Sequence, residues 1–366
     1  TLVSFYEKAE ESKLDLVKYN IKNKLICNDS LRKFKARILR EVLNCESRHN
    51  PFNRHCNIVN NYKLYRLLSA LKELKNDGYM PNIIILEWTQ VVLLVEEIKK
   101  IFPGSKIVAS EHDVTFLGYL RKYQYEENII AKINAKRKYY RIKKLELKAL
   151  NNCDLIVTHN EKDMKLLLDN NISIDKQHVI VPYFMNMSSI VRNASSKDII
   201  FFGAMNRAEN YLSAIWFIEN VFYKIKDEAT RFIIIGGNPH RSLFNFANER
   251  VLITGFVEDV SPYFTNCLCF VAPLVLGAGI KVKVLEALSA GVPVLTNEIG
   301  IEGIPAINGE DYLHCYSADD YINYIDKIIC NEIDTVRISK NSQQFIKDKF
   351  NLENSAQKYS LRLNSI

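Results

Sequence analysis

The chain has 366 residues, 48% of them hydrophobic and 25% charged, with 8 cysteines and a formal net charge of +7. This is the balance of a soluble globular protein and excludes a disordered, collagen-like or low-complexity chain. At about 150 residues per domain the length predicts two domains, each able to bury a core without disulfide staples.

The charge is unevenly placed. Residues 1–190 carry 32 Lys and Arg against 22 Asp and Glu, whereas residues 191–366 carry 17 against 20. A basic half points to nucleic acid, an anionic lipid surface or an acidic substrate, with a merely solvated lysine surface as the plain alternative. No apolar run reaches the roughly 18 residues of a spanning helix. The opening residues 1–6 also lack the basic start and cleavage site of a signal peptide. Cys27, Cys153, Cys267 and Cys269 lie in or beside apolar stretches. There a thiol behaves as a small hydrophobe, so a reducing cytoplasm is expected. Cys45, His49, His55 and Cys56 are metal-ligating types, but their spacing matches no common zinc site and no metal is expected there.

In chain order, short apolar runs at 1–6, 83–86, 106–109, 155–158 and 179–181 predict strands. Helices are predicted near 30–44, 58–76, 90–101, 115–150 and 161–170. The runs are continuously apolar rather than alternating, as parallel strands covered on both faces should be. This is βαβ punctuation, and a doubly wound α/β sheet is expected. Residues 182–197 are rich in Asn and Ser and read as a linker. A second α/β series follows, with strands at 198–202, 231–235, 251–254, 268–272, 293–296 and 312–315 and two or three closing helices after Ser317. The first strand has no Gly-rich loop and helix before it, so the first domain is expected to lack its opening strand-loop-helix.

Residues 272–303 carry the strongest chemical signal, reading APLVLGAGIKVKVLEALSAGVPVLTNEIGIEG. A strand runs into the loop Gly277-Ala278-Gly279, and a helix is expected to begin near Ile280. Glycines let a ligand approach the backbone, and a helix N-terminus presents N–H groups and a positive dipole end to phosphate. Lys281 and Lys283 add full positive charge where helices favour acidic residues. Glu286 follows as a carboxylate suited to sugar hydroxyls.

With this segment, Phe202-Gly203, Ile235-Gly236-Gly237, Gly255-Phe256-Val257 with Asp259, Ala272-Pro273-Leu274, Ala290-Gly291-Val292-Pro293-Val294 and Ile299-Gly300-Ile301-Glu302-Gly303 stand in one order. Together they resemble the retaining group 1 (family 4) glycosyltransferases. The resemblance covers most of residues 198–330 and more weakly the first half. It implies a GT-B fold of two Rossmann-like doubly wound domains facing across a cleft. The first is residues 1–184 on the acceptor side and the second is residues 198–351 on the donor side. Residues 185–197 link them, and a final helix near 352–366 packs back on the first domain.

The resemblance also implies donor contacts from Gly203, Arg207, Gly236, Gly255, Phe256, Val257, Gly277, Ala278, Gly279, Ile280, Lys281, Lys283 and Glu286. Glu286 matches the second glutamate of the Glu-x7-Glu motif and would bind the donor ribose. The lysines would neutralise the leaving diphosphate. Three departures stand out: Ala278 replaces the first motif glutamate, and Ala204 and Glu209 replace a motif arginine and lysine. Arg207 with the Lys281/Lys283 pair is the expected compensation.

In the first half, His112 matches a histidine near donor sugar and acceptor, and an imidazole suits positioning a hydroxyl. Its neighbours Glu111 and Asp113, with Glu87 and Trp88 at the end of the preceding strand, are candidates for the acceptor side, the alternatives being helix capping and ordinary packing. Two basic segments, at 32–40 and at 132–148, read as a surface for anionic membrane. No recognition motif accompanies the charge, so nucleic acid is not an expected partner.

The expectation is a metal-independent hexosyltransferase-like enzyme without cofactor, cytoplasmic and peripheral on the membrane. It would move sugar with retention from a nucleotide-sugar to a glycan or lipid-linked acceptor in surface polysaccharide biosynthesis. The alternatives are a non-catalytic GT-B protein that binds glycan or partners an active transferase and, more distantly, a nucleotide-sugar epimerase.

Overall fold

A computed structural model describes residues 1–6, 22–27, 38, 61–193 and 196–366. The basic segment 32–40 and the Cys45, His49, His55, Cys56 group lie outside these residues, apart from Ile38. The described chain divides into two compact units. One holds residues 1–111, 136–156 and 366, and the other holds residues 112–135 and 157–365.

In the first unit, β1 (Leu2–Tyr6) pairs in parallel with β2 (Asn23–Cys27), a strand the apolar pattern does not announce. β3 (Ile83–Glu87) pairs in parallel with β4 (Lys106–Ser110), with β5 (Leu155–Thr158) next in the order, and the strand that follows β5, β6 (Gln177–Val179), belongs to the second unit. The unit boundary runs through β5. Its four residues are all buried, which is why its sequence is a bare apolar run. Asp154 precedes it and accepts from the Ile107 amide at 2.8 Å, setting the register of β5 beside β4.

The helix expected over 115–150 is two helices, Thr115–Tyr125 and Ile129–Asn151. Glu126 is extended, and the side chain of Asn128 accepts from the amides of Ile130 and Ala131 at 3.1 Å, so it caps a new helix. The helix expected over 90–101 is likewise split into Thr89–Val92 and Val95–Ile101.

The second unit is built on a six-stranded sheet, every pairing parallel, in the order β12-β11-β10-β7-β8-β9. Its strands are β7 (Asp198–Phe202), β8 (Arg231–Ile235), β9 (Val251–Gly255), β10 (Cys269–Ala272), β11 (Val294–Thr296) and β12 (Leu313–His314). Counted within the sheet this is the order 6-5-4-1-2-3, that of a dinucleotide-type Rossmann sheet. Its direction of winding reverses between β7 and β10.

One core spans the sheet, with Phe201, Phe217, Phe222, Phe232, Phe264 and Phe270 fully buried. Burying one such ring stabilises the fold by roughly 1.5–3 kcal/mol. Three helices close the chain: Ala318–Ile329, Thr335–Lys349 and Leu352–Leu363. The last lies on the segment around β6. Ser355 Oγ accepts from the Val181 amide at 2.8 Å, Arg362 donates to the Asp175 carbonyl, and Tyr359 stacks on His178.

Candidate functional site

In open α/β sheets, ligands bind outside the carboxyl ends of the strands where the winding reverses. Here that point lies between β7 and β10, and the loops leaving those strands carry seven of the thirteen donor-side residues named above. The loop after β7 is made close-fitting by glycine. A Cβ on Gly236 would lie 1.7 Å from the carbonyl oxygen of Gly203, so no side chain fits there. The Gly203 amide donates to Ile235 and the Gly236 amide to Gly255, each at 3.0 Å, which steps the three strand ends β7, β8 and β9 together.

Lys283 sits in the first turn of the helix Val282–Ser289, which begins two residues later than expected. Its half-buried ammonium donates to Asn210 Oδ1 and lies 4.9 Å from the centre of the Phe201 ring. Asn210 is held in turn by the Ala204 carbonyl at 2.9 Å. A Cβ on Gly203 would be 3.1 Å from the same ammonium, so this charge reaches the loop after β7. Burial, and then the neighbouring Lys281, push its pKa down to about 7.

Lys281 is buried. It donates to the Gly279 carbonyl and lies 3.5 Å from Glu302 Oε2. Burial lowers its pKa to about 8, against the attraction of Glu302. The loop Gly277-Ala278-Gly279 carries no polar side chain, and His112 and Asp113 pack directly on it. A Cβ on Gly279 would meet Asp113 Cβ at 2.8 Å and the His112 carbonyl at 2.9 Å. Asp113 accepts from Thr115 Oγ1 at 3.3 Å, and burial raises its pKa despite the nearby charges of Lys281 and Arg207. The ring of His112 lies 4.9 Å from that of His159. Arg207 is exposed and pairs with Glu209 at 2.6 Å.

Glu286 lies one turn beyond Lys283. Its Oε1 accepts from the Met185 amide at 3.3 Å, and burial raises its pKa. Gly255 ends β9 at φ +69°, and Phe256 follows with 79% of its surface exposed beside Gly237. Val257 packs on the core and Ile280 against it.

The second unit thus holds His112, Asp113 and every donor-side residue named from the sequence. Glu87, Trp88 and Glu111 belong to the first unit, at the carboxyl ends of β3 and β4. There Thr89 Oγ1 donates to the buried Glu111 at 2.5 Å. Trp88 has φ +73° because the chain turns from strand to helix on this one residue, whose carbonyl receives the Val91 and Val92 amides.

Three site residues carry no mark in the sequence reading: Arg121, Lys162 and Asn210. Arg121 forks onto Glu302 at 2.6 and 2.7 Å and also donates to the Gly277 carbonyl. Lys162 reaches the same carboxylate at 2.7 Å. Only Glu302 was visible, as a member of the run 299–303. Surrounded by cations, its carboxyl is held down at about 2 against the cost of burial. Asp163, packed by Asn160 at 2.8 Å, is pushed the other way, to about 6, by burial.

Comparison with known proteins bears on the fold and on residues 196–331. Residues 196–331 match the family described as Glycosyl transferases group 1. Among curated protein sequences no match to the chain is found. Of solved structures, Anabaena HepE in complex with UDP is similar over 100% of both chains at 13% identity and TM-score 0.66. Sucrose-phosphate synthase from Thermosynechococcus elongatus is similar over 86% of this chain and 81% of its own at 16% identity and TM-score 0.65. TarM is similar over 80% of this chain at 13% identity and TM-score 0.61, and the chain spans 57% of TarM. The fold is therefore GT-B, an α/β fold with two Rossmann-like domains, and residues 196–331 are similar to the group 1 glycosyl transferases.

Proposed function

We propose that the protein is a retaining glycosyltransferase that takes a sugar from a nucleotide-sugar donor and passes it to a glycan or lipid-linked acceptor, in the building of a surface polysaccharide. The observation that carries this reading is the arrangement at the sheet's reversal point. Lys283 reaches Gly203 at the end of β7, and Lys281 grips the Gly277–Gly279 loop, which has no polar side chain of its own. That arrangement suits a diphosphate, because cations there offset the charge that builds as the glycosidic bond breaks. The complexes of Anabaena HepE with UDP and with UDP-glucose support a donor of this class.

In this reading Glu286 accepts from the donor ribose, and Gly255, Phe256 and Val257 flank the base. His112 positions the reacting hydroxyl beside the Gly279 loop. Glu87, Trp88, Glu111 and Asp113 are assigned to the acceptor side. The acceptor hydroxyl attacks on the face that the diphosphate leaves, so the residues need only orient and stabilise charge. No metal or cofactor is assigned a part.

Access to a lipid-linked acceptor gives the helix Ile129–Asn151 a role. Ile129, Ile130 and Ile133 are 76%, 74% and 50% exposed on a helix that also carries Lys132, Lys136, Arg137 and Lys138. Apolar tips among cations suit an anionic bilayer surface. Among the described residues no helix is long and apolar enough to cross a membrane.

Calorimetry with UDP-, GDP- and ADP-sugars tests the reading. Binding of one of them, weakened about tenfold or more by Lys283→Ala, is expected. No binding of any of the three would instead favour a non-catalytic glycan-binding protein.

A further inference from the structure

Glu302 is remote from the reversal point in sequence terms, yet it is the hub of the loop that lies there. Its side chain is wholly buried and meets three cations: Arg121, Lys162 and Lys281. Each comes from a different element: the helix Thr115–Tyr125, the helix Glu161–Leu168 and the start of the helix Val282–Ser289. Two of the three also grip the glycine loop, Arg121 through the Gly277 carbonyl and Lys281 through the Gly279 carbonyl. The loop has no polar side chain of its own between Gly277 and Ile280. Its shape is therefore set from outside, by cations that one carboxylate holds.

We infer that Glu302 is a positioning residue for anion recognition: it fixes Arg121 and Lys281 on the Gly277–Gly279 loop, and the surplus of cations over its single charge makes that frame selective for a diphosphate. The selectivity rests on the proposed donor reading, whereas the positioning does not. A buried carboxylate with a bidentate arginine and two lysines is well compensated, but removing it leaves three cations facing one another. The electrostatics agree in direction. Glu302 favours the charged form of Lys281, as Asp163 does, while burial and Arg121 oppose it. Lys283 and Asp113 are the other charged groups coupled to Lys281.

Glu302→Gln separates positioning from simple charge, because the two predict opposite signs. Removing a negative charge beside a diphosphate site strengthens anion binding if only the local field matters. If Glu302 acts by holding the frame, the same substitution weakens UDP binding, by about tenfold or more. The pH above which UDP affinity falls should also move down in the variant, since Lys281 loses its partner. Amide hydrogen exchange of residues 275–281 in the unliganded protein gives an independent readout, expected to be about tenfold faster in Glu302→Gln.

Arg121→Lys, which keeps the charge but loses the fork, should shift exchange and affinity in the same direction and serves if Glu302→Gln does not fold. Unchanged exchange, or UDP binding equal to or tighter than wild type, overturns the inference. A wild-type protein that binds no nucleoside diphosphate defeats the donor reading instead, and loop exchange still decides the role of Glu302.

Discussion

Gly236 and Gly203 touch so closely that a single added carbon on the first would lie 1.7 Å from the carbonyl oxygen of the second. The backbone of Gly236 is also at φ +149°, where side chains are strained. Gly236→Ala should therefore destabilise the fold by about 1–3 kcal/mol and displace the loop after β7. Thermal unfolding checks this against Gly104→Ala, where a Cβ meets nothing within 4 Å and the change should stay within about 0.5 kcal/mol. Equal melting temperatures for the two variants would show that the close approach carries no weight.

Donor affinity should fall as pH rises. Lys283 and Lys281 have lowered pKa values of about 7 and about 8, so above these values the ammonium groups lose the charge that the proposed donor reading sets against phosphate. A bound diphosphate favours the charged forms, and binding near pH 8 should take up protons. Calorimetry of UDP binding in two buffers of different ionisation heat measures that uptake. It should shrink in Lys283→Gln, and proton release on binding would contradict the assignment.

Two buried carboxyls should tilt stability in opposite directions. The folded pKa of Asp163 is raised to about 6 from 3.8, so the native state holds its proton more tightly than the unfolded chain. Its contribution is fully present below pH 3.8 and is lost as pH rises to 6. Glu302 is lowered to about 2 from 4.5, so its contribution is present above pH 4.5 and is lost as pH falls towards 2. Asp163→Asn keeps an oxygen for the Asn160 amide and should raise stability at pH 7 by about 1–3 kcal/mol. Urea melts at pH 4 and pH 7 test it: the gain belongs at pH 7 alone.

Ile129, Ile130 and Ile133 bear on membrane contact. If the bilayer reading holds, the protein sediments with vesicles containing anionic lipid and stays behind with neutral ones. Replacing the three isoleucines by serine should weaken that binding about tenfold or more, with circular dichroism unchanged. Equal binding to both vesicle types would remove this part of the proposal.

The parallel strands were legible because strands buried on both faces leave uninterrupted apolar runs, and β7 and β8 fall on the predicted residues. The break between the helices Thr115–Tyr125 and Ile129–Asn151 was not, because nothing in Glu126-Glu127-Asn128 forbids a helix. Only the capping bond of Asn128 reveals it. β2 escaped because Asn23 and Lys24 dilute its apolar signal. At the site, the glycine loop and its lysines stood out by charge and spacing. Arg121 did not, since its partners Gly277 and Glu302 lie 156 and 181 residues away and only the folded chain brings them together. Asn210 was silent for the same reason: an amide within a helix is ordinary until a lysine is found on it.

The last helix, Leu352–Leu363, clasps the chain just ahead of residue 182 through Ser355, Tyr359 and Arg362. This sets an order on biosynthesis. The clasp closes over 174 residues of sequence, so the segment around Val181 meets these partners only after the whole six-stranded sheet between them has been synthesised. A chain that stops before Leu352 has every strand of that sheet but lacks the three side chains that hold the segment around Val181.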